Sequence, residues 1–276
     1  MPSSHLPPVI AALSARLSQI GFERTRRALA ALALSVFISL YLLVSLNAPE
    51  GFARVFVALS FCYGVAFFAV VAEYFWGRWF ATGLAWSGVM IAIAGVVAIG
   101  WLPQLVIFGV LHLFVIVALM GEKMAARYDL QAAWRERYKM DDFGVARLQK
   151  TITRSAASLP SLIIWALAPK EEGMAFAALA LAVTGVWGLI RLRSWGVLSL
   201  GAAGVLVAAG GQVGRFFACT LPCQGFGLVP YHGIAGMTPD ASLFVVTFSP
   251  TLAFVLLAAA VIPFAGAIAR YLRRPA

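Results

Sequence analysis

The stretch Ala28–Asn47, ALAALALSVFISLYLLVSLN, runs for 20 residues without a charged side chain and follows directly on Arg24, Arg26 and Arg27. At about 1.5 Å rise per residue, such a helix is about 30 Å long, the thickness of a bilayer's hydrocarbon core. Arginines in front of an apolar helix of that length read as a span entered from the cytoplasm. A cleavable signal has an apolar region of about 7–15 residues and a small-residue cleavage site. This stretch is longer and no Ala-x-Ala-like site follows it, so it is expected to be a retained anchor.

Seven further apolar stretches repeat the pattern, at 53–75, 79–99, 103–121, 156–169, 173–190, 195–213 and 242–266. The stretch 156–169 is short and holds Pro160, so its helix is expected to start upstream, near Thr151, with Pro160 as a kink tolerated inside a bundle. Breakers punctuate the joints: Asn47-Ala48-Pro49-Glu50-Gly51, Gly100-Trp101-Leu102-Pro103 and Ala168-Pro169-Lys170-Glu171-Glu172-Gly173. Over its 276 residues the chain is 62% hydrophobic and 12% charged, with a mean hydropathy of +0.91. Soluble domains are about 45–50% apolar and about 25% charged. The composition therefore excludes a soluble globular domain, and it equally excludes disordered or fibrous sequence. The expected fold is an all-α integral membrane protein of eight transmembrane helices.

The net charge of +10 takes its meaning from where the charges fall. With the N-terminus inside and alternating spans, the inner side receives 18 of the 21 Lys and Arg. Arg54, Lys170 and Arg215 alone fall outside. The charge thus reads as topology, with both termini cytoplasmic, and not as a nucleic-acid surface. Short loops and this bias fit a bacterial inner (plasma) membrane.

The two halves echo one another. Ala48-Pro49 closes the first span and Ala168-Pro169 the fifth. Trp79 and Trp195 open the third and seventh, and Gly88-Val89-Met90-Ile91-Ala92 matches Gly204-Val205-Leu206-Val207-Ala208 at the same offset of 116. Ala126-Arg127-Tyr128 and Ala269-Arg270-Tyr271 close the fourth and eighth. Even numbers of helices per half make the repeat parallel, with its axis along the membrane normal. The expected organisation is an N-terminal segment 1–27, a first four-helix half 28–128, a cytoplasmic linker helix 129–153, and a second half 154–276 with an outer loop 214–241. Small residues at Gly88, Ala92 and Gly95, and at Gly201, Gly204, Ala208 and Gly211, let helices approach closely. They serve either packing within one bundle or docking of a partner subunit or a second copy.

Ionisable groups within a membrane are costly, so each is a functional candidate. Glu73, near the inner end of the second span, either reaches the interface or pairs with Arg78. His112 lies mid-span in Val110-Leu111-His112-Leu113-Phe114. It is either a neutral histidine hydrogen-bonded to a neighbouring helix or a proton relay or cofactor ligand. A bis-histidine haem needs a second ligand that no span supplies, which leaves only a haem shared with a partner.

In the outer loop, Cys219 and Cys223 form a Cys-x3-Cys pair, with His232 following. In an oxidising compartment such a pair most simply makes a disulfide. The alternatives are a redox-active pair, or Cu(I) held by the two sulfurs with His232, because soft thiolates favour that ion. On the inner side, Leu130, Trp134 and Tyr138 line one face of a helix among basic residues, as in a helix lying against anionic lipid. Ile10, Leu13, Leu17 and Ile20 make a similar short amphipathic stretch before Gly21.

The sequence holds no phosphate-binding P-loop, no G-x-S-x-G and no H-E-x-x-H. The leading expectation is a non-catalytic subunit, or an assembly or regulatory factor, of a membrane complex. A transporter or channel for a small neutral or apolar substrate, its path between the halves near His112, is the alternative. A redox or metal-handling protein built on Cys219 and Cys223 is the third reading.

Overall fold

The computed structural model describes residues 21–49, 51–128, 135–137, 139–168, 173–210 and 248–265, with 98 and 99 as backbone alone. Among these residues all regular structure is helical. The α-helices whose bounds lie within the described residues run in order: α1 Phe22–Asn47, α2 Ala53–Val71, α3 Gly77–Ile99, α4 Pro103–Leu119, α5 Glu122–Tyr128, α6 Asp142–Leu167, α7 Gly173–Ile190, α8 Trp195–Ala209 and α9 Ser249–Val261. A 3₁₀ turn, Ile262–Phe264, follows α9. Four of these helices are long and apolar enough to cross a membrane: α1, α2, α3 over Gly77–Val97, and α7. Counting α4 and α5 as one span broken by a 76° bend gives a fifth. The protein is therefore a helical, membrane-type chain. The helices α8 and α9, of 15 and 13 residues, fall short by length.

The boundaries depart from expectation where turn chemistry intervenes. The second stretch ends at Val71 instead of 75, because Glu73 takes a left-handed backbone (φ 56) and turns the chain. The fifth stretch begins well before Thr151: Asp141 caps α6, its side chain accepting from the Gly144 amide at 2.7 Å. The expected linker 129–153 is thus helix α6 from 142 onward. Pro160 sits buried inside α6. It removes the N–H that would bond the Ala156 carbonyl. In the preceding turns of the same helix, hydroxyls bond backbone carbonyls: Thr151 to Arg147 at 2.9 Å, Ser155 to Thr151 at 2.8 Å and Ser158 to Ser155 at 2.7 Å. Lys150 and Arg154, more than these hydroxyls, lower the hydropathy of α6, and its 26 residues are not apolar enough throughout to count among the four.

The helices pack as two closed rings of four. In the first, α1 lies against α2 and α4, and α3 against the same two. In the second, α6 lies against α7 and α9, and α8 against the same two. Among the described residues the rings join chiefly through α6, which packs on α3 and more lightly on α2. Gly83 makes that crossing close: a Cβ there would strike the Thr153 carbonyl and lie 2.8 Å from the Ala156 Cβ.

Two turns are built alike. After α2, the amides of Ala72, Glu73, Tyr74 and Gly77 bond the carbonyls of Phe68, Val70, Ala69 and Tyr74. After α7, the amides of Arg191, Leu192, Arg193 and Gly196 bond those of Trp187, Leu189, Gly188 and Arg193. Both are Schellman closures with a non-glycine residue in the left-handed position, Glu73 (φ 56) and Leu192 (φ 55). The next helix then crosses the last so tightly that a Cβ on Gly77 would lie 2.5 Å from the Ala69 carbonyl oxygen, and one on Gly196 would lie 2.9 Å from the Gly188 carbonyl carbon. The correspondence runs Gly77 to Gly196, an offset of 119 (196 − 77), and it pairs Trp76 with Trp195. The sequence offset of 116, which paired Trp79 with Trp195, is three residues out of register with this turn. The ends of α1 and α6 also agree: each stops at an alanine before proline, Ala48 (ψ 147) and Ala168 (ψ 149), in the extended backbone that a following proline imposes.

Candidate functional site

His112 lies at the centre of the first ring and is wholly buried. Its Nδ1 is 2.8 Å from the Phe108 carbonyl oxygen, which can only accept, so Nδ1 carries the proton. In the neutral ring Nε2 is then an acceptor, and the Tyr63 hydroxyl donates to it at 2.7 Å. Tyr41 of α1 packs beside Tyr63, their ring centroids 5.3 Å apart. The chain Tyr63–His112–Phe108 thus ties α2 to α4 through polar groups in an apolar setting, and α1 packs Phe37 and Tyr41 against it. Phe37 lies over the imidazole, centroids 3.9 Å apart and ring planes tilted by 32°, and Phe108 packs against it at 4.2 Å. From α3, Gly88 backs onto the ring, and a Cβ there would coincide with imidazole atoms. Of the small-residue set in α3, Gly88 is therefore filled by His112 and Gly95 by Leu105.

His112 stands inside one ring, whereas the rings meet where α6 lies on α3. The histidine and the expected path between halves are separate places. Tyr63 and Tyr41 carry no charge at neutral pH, so the charge pattern of the spans does not single them out. Their signal was present, as two phenols in otherwise apolar helices.

Expected to pair with Arg78 or to reach the interface, Glu73 is seen paired with arginines of other elements. Its carboxylate pairs with Arg27 at the start of α1 and with Arg127 of α5, whose Nη2 lies 2.9 Å away. Tyr128 beside Arg127 donates to the Val70 carbonyl at 2.8 Å. Turn, first helix and bent α5 are clamped together at one end of the ring.

Arginines also cap helix ends. Arg26 donates to the carbonyls of Val117 and Met120 where α4 finishes. Arg154 of α6 donates to the Ala259 carbonyl at 2.6 Å. That oxygen lacks its helical partner because residue 263 is proline. Arg54 donates to the Leu167 carbonyl at 2.6 Å and so closes α6 from α2. In each half the first helix supplies the arginine that caps the fourth.

Between α8 and α9 lies an open apolar groove of about 310 Å³, floored by Gly201, Gly204 and Ala208 and walled by Phe254, Leu257 and Val261. Even a Cβ added to its glycines would meet α9 only at ordinary contact distance, 3.9 Å from Val261 at Gly201 and 3.8 Å from Leu257 at Gly204. The third and fourth helices of the second half are thus less tightly meshed than those of the first.

Cys219, Cys223 and His232, the amphipathic face of Leu130, Trp134 and Tyr138, the N-terminal stretch from Ile10 to Ile20, and Gly211 all lie outside the described residues. Cys62, buried in α2, is a free thiol. Among the described residues no group of three or more His, Cys, Asp or Glu is placed to hold a metal. Comparison with family models, curated proteins and solved structures finds no match to this chain.

Proposed function

We propose that this chain is a non-catalytic subunit or assembly factor of a membrane complex, threaded eight times through a bacterial inner membrane. In this reading it is built from two parallel four-helix halves with both termini cytoplasmic. The observation that carries the reading is the use already made of His112. A proton relay or haem ligand needs a ring nitrogen open to a partner, and here both nitrogens are engaged and both faces covered. Glu73 is likewise tied into a clamp of arginines. The intramembrane polar groups hold the bundle together, which leaves apolar helix faces as the surfaces through which it acts.

The threading rests on the distribution of Lys and Arg. The duplication is supported by the matched turns after α2 and α7, the matched Ala-Pro helix ends, the shared ring order and the parallel arginine caps. Extraction in mild detergent at native expression tests the function. The particle should carry protein mass beyond one chain, whether another subunit or a further copy. A folded, partner-free monomer at native concentration would overturn it.

A further inference from the structure

We propose that the arginine cluster at one end of the first ring binds a phosphate group, carried by a lipid headgroup or free, between Arg27, Arg78 and Arg127. The proposal is independent of which complex the chain serves. Four elements converge at this end: the start of α1, the turn after α2, the start of α3 and the bent α5. Arg27 and Arg127 meet the same carboxylate oxygen, Oε1 of Glu73, and Arg127 reaches it with Nη2 at 2.9 Å and Nε at 3.0 Å. Arg78, in the first turn of α3, is only 9% exposed. Helix α5 packs back on α3, and the charges of Arg27, Arg127 and Arg78 all act on the Tyr128 hydroxyl.

One carboxylate does not balance three guanidinium groups. Over residues 21–28, 72–78 and 121–128, which build this end, six side chains are basic and three acidic. Hydrogen bonds to carbonyls and hydroxyls occupy guanidinium protons but cancel no net charge. Excess charge held partly out of water is costly, and a bound anion lowers that cost. The planar fork of arginine takes phosphate oxygens two at a time, so phosphate matches the cluster better than a single-point anion does. The Arg27 and Arg127 side chains are 22% and 32% exposed, which leaves room for an anion to approach. Beside Glu73, Tyr74 is 45% exposed and stacks on Trp76 with ring planes 6° apart. Tyr and Trp collect at headgroup level, so these rings set the cluster at the depth of lipid phosphates. In the threading proposed above this is the cytoplasmic face, where basic pockets between transmembrane helices take anionic headgroups. The matched turn after α7 has Leu192 in the place of Glu73 and, by the offset of 119, Val197 in the place of Arg78. The second ring does not repeat the cluster there, which supplies an internal control.

Native mass spectrometry tests this on the full chain, stripped of lipid in detergent and titrated with phosphatidylglycerol, phosphatidylcholine or inorganic phosphate. The expected result is one phosphatidylglycerol bound at least tenfold more tightly than phosphatidylcholine. Arg127→Gln should weaken that binding at least fivefold. Should Arg127→Gln fail to fold, Arg127→Lys keeps the charge without the fork and should weaken it several-fold. Arg191→Gln, which removes a basic side chain from the matched turn of the second ring, should change nothing. Glu73→Gln removes the carboxylate that competes for the same guanidinium groups and should tighten binding several-fold, whereas a clamp with no ligand gives no such gain. Inorganic phosphate that binds the wild type, shows the same dependence on Arg127 and displaces the lipid would assign the site to free phosphate. The proposal is overturned if neither ligand binds or if the Arg127 variants bind like the wild type. It is overturned equally if Arg191→Gln weakens binding as much as Arg127→Gln, because the attraction is then that of the basic surface as a whole.

Discussion

Gly88 faces the imidazole of His112 across the α3–α4 contact so closely that one methyl group on it would occupy the ring's own position. Glycine here keeps space for a neighbour's ring. Gly88→Ala is therefore expected to force the imidazole out from between Phe37 and Phe108. Overpacking of this kind costs about 1–3 kcal/mol. Gly64, in the adjacent α2, has nothing within 4 Å of where its Cβ would lie. Gly64→Ala should be neutral or stabilising, since alanine is the better helix former by about 1 kcal/mol. Thermal unfolding of both variants in one detergent checks the contrast. Equal effects would mean that the His112 packing is not the cause.

Tyr63 and His112 should behave as one unit. Tyr63→Phe removes the donor and leaves Nε2 buried without a partner, at a cost of about 1–3 kcal/mol. His112→Leu removes the acceptor and much of the ring packing. A double-mutant cycle is expected to show coupling of about 0.6–1.7 kcal/mol, the range found for hydrogen bonds between membrane helices. Additive losses would show that the 2.7 Å contact contributes nothing specific. Activity is not needed for this measurement, so it applies whatever the complex does.

The sequence made the helices and their order legible because hydropathy and charge act locally. Ala28–Asn47 could be little else than a span, and Ala-Pro at 48 and 168 stops a helix wherever it stands. The joint between rings was not legible, since the close approach of Gly83 to Thr153 depends on which helices become neighbours. The likeness of the two turns was hidden for a related reason. Trp79 and Trp195 are alike in letter, but the chain reverses at Glu73 and Leu192, and those two side chains share no chemistry. Only the backbone angle identifies them. The arginine caps were hidden too, because on sequence Arg26 and Arg154 are merely inner-side charges.

Glu73→Gln should weaken the clamp at the start of the ring while leaving the left-handed turn in place. Arg27, Arg127 and Glu73 are each between a fifth and a third exposed. Solvent therefore screens the pairs, and a loss of about 0.5–1 kcal/mol is expected. The sign with salt follows from screening over roughly 10 Å at 0.1 M. The gap between wild type and variant in melting temperature should shrink as ionic strength rises. A gap that stays constant from low to high salt would assign the loss to side-chain shape and not to charge.

Arg154 and Pro263 offer the sharpest test of the caps. The proline removes the amide that would bond the Ala259 carbonyl, and Arg154 supplies a donor in its place. Arg154→Ala should then leave a partly buried carbonyl unpaired, costing about 1–3 kcal/mol. In a Pro263→Ala background the helix can restore its own i to i−4 bond, so the same Arg154→Ala change should cost clearly less. The expected coupling is at least about 1 kcal/mol, well beyond the roughly 0.5 kcal/mol within which independent sites add. If Arg154→Ala costs the same in both backgrounds, the arginine is not standing in for the missing amide. Its value would then lie in its charge at the membrane surface, and the parallel with Arg26 on α4 would lose its physical basis.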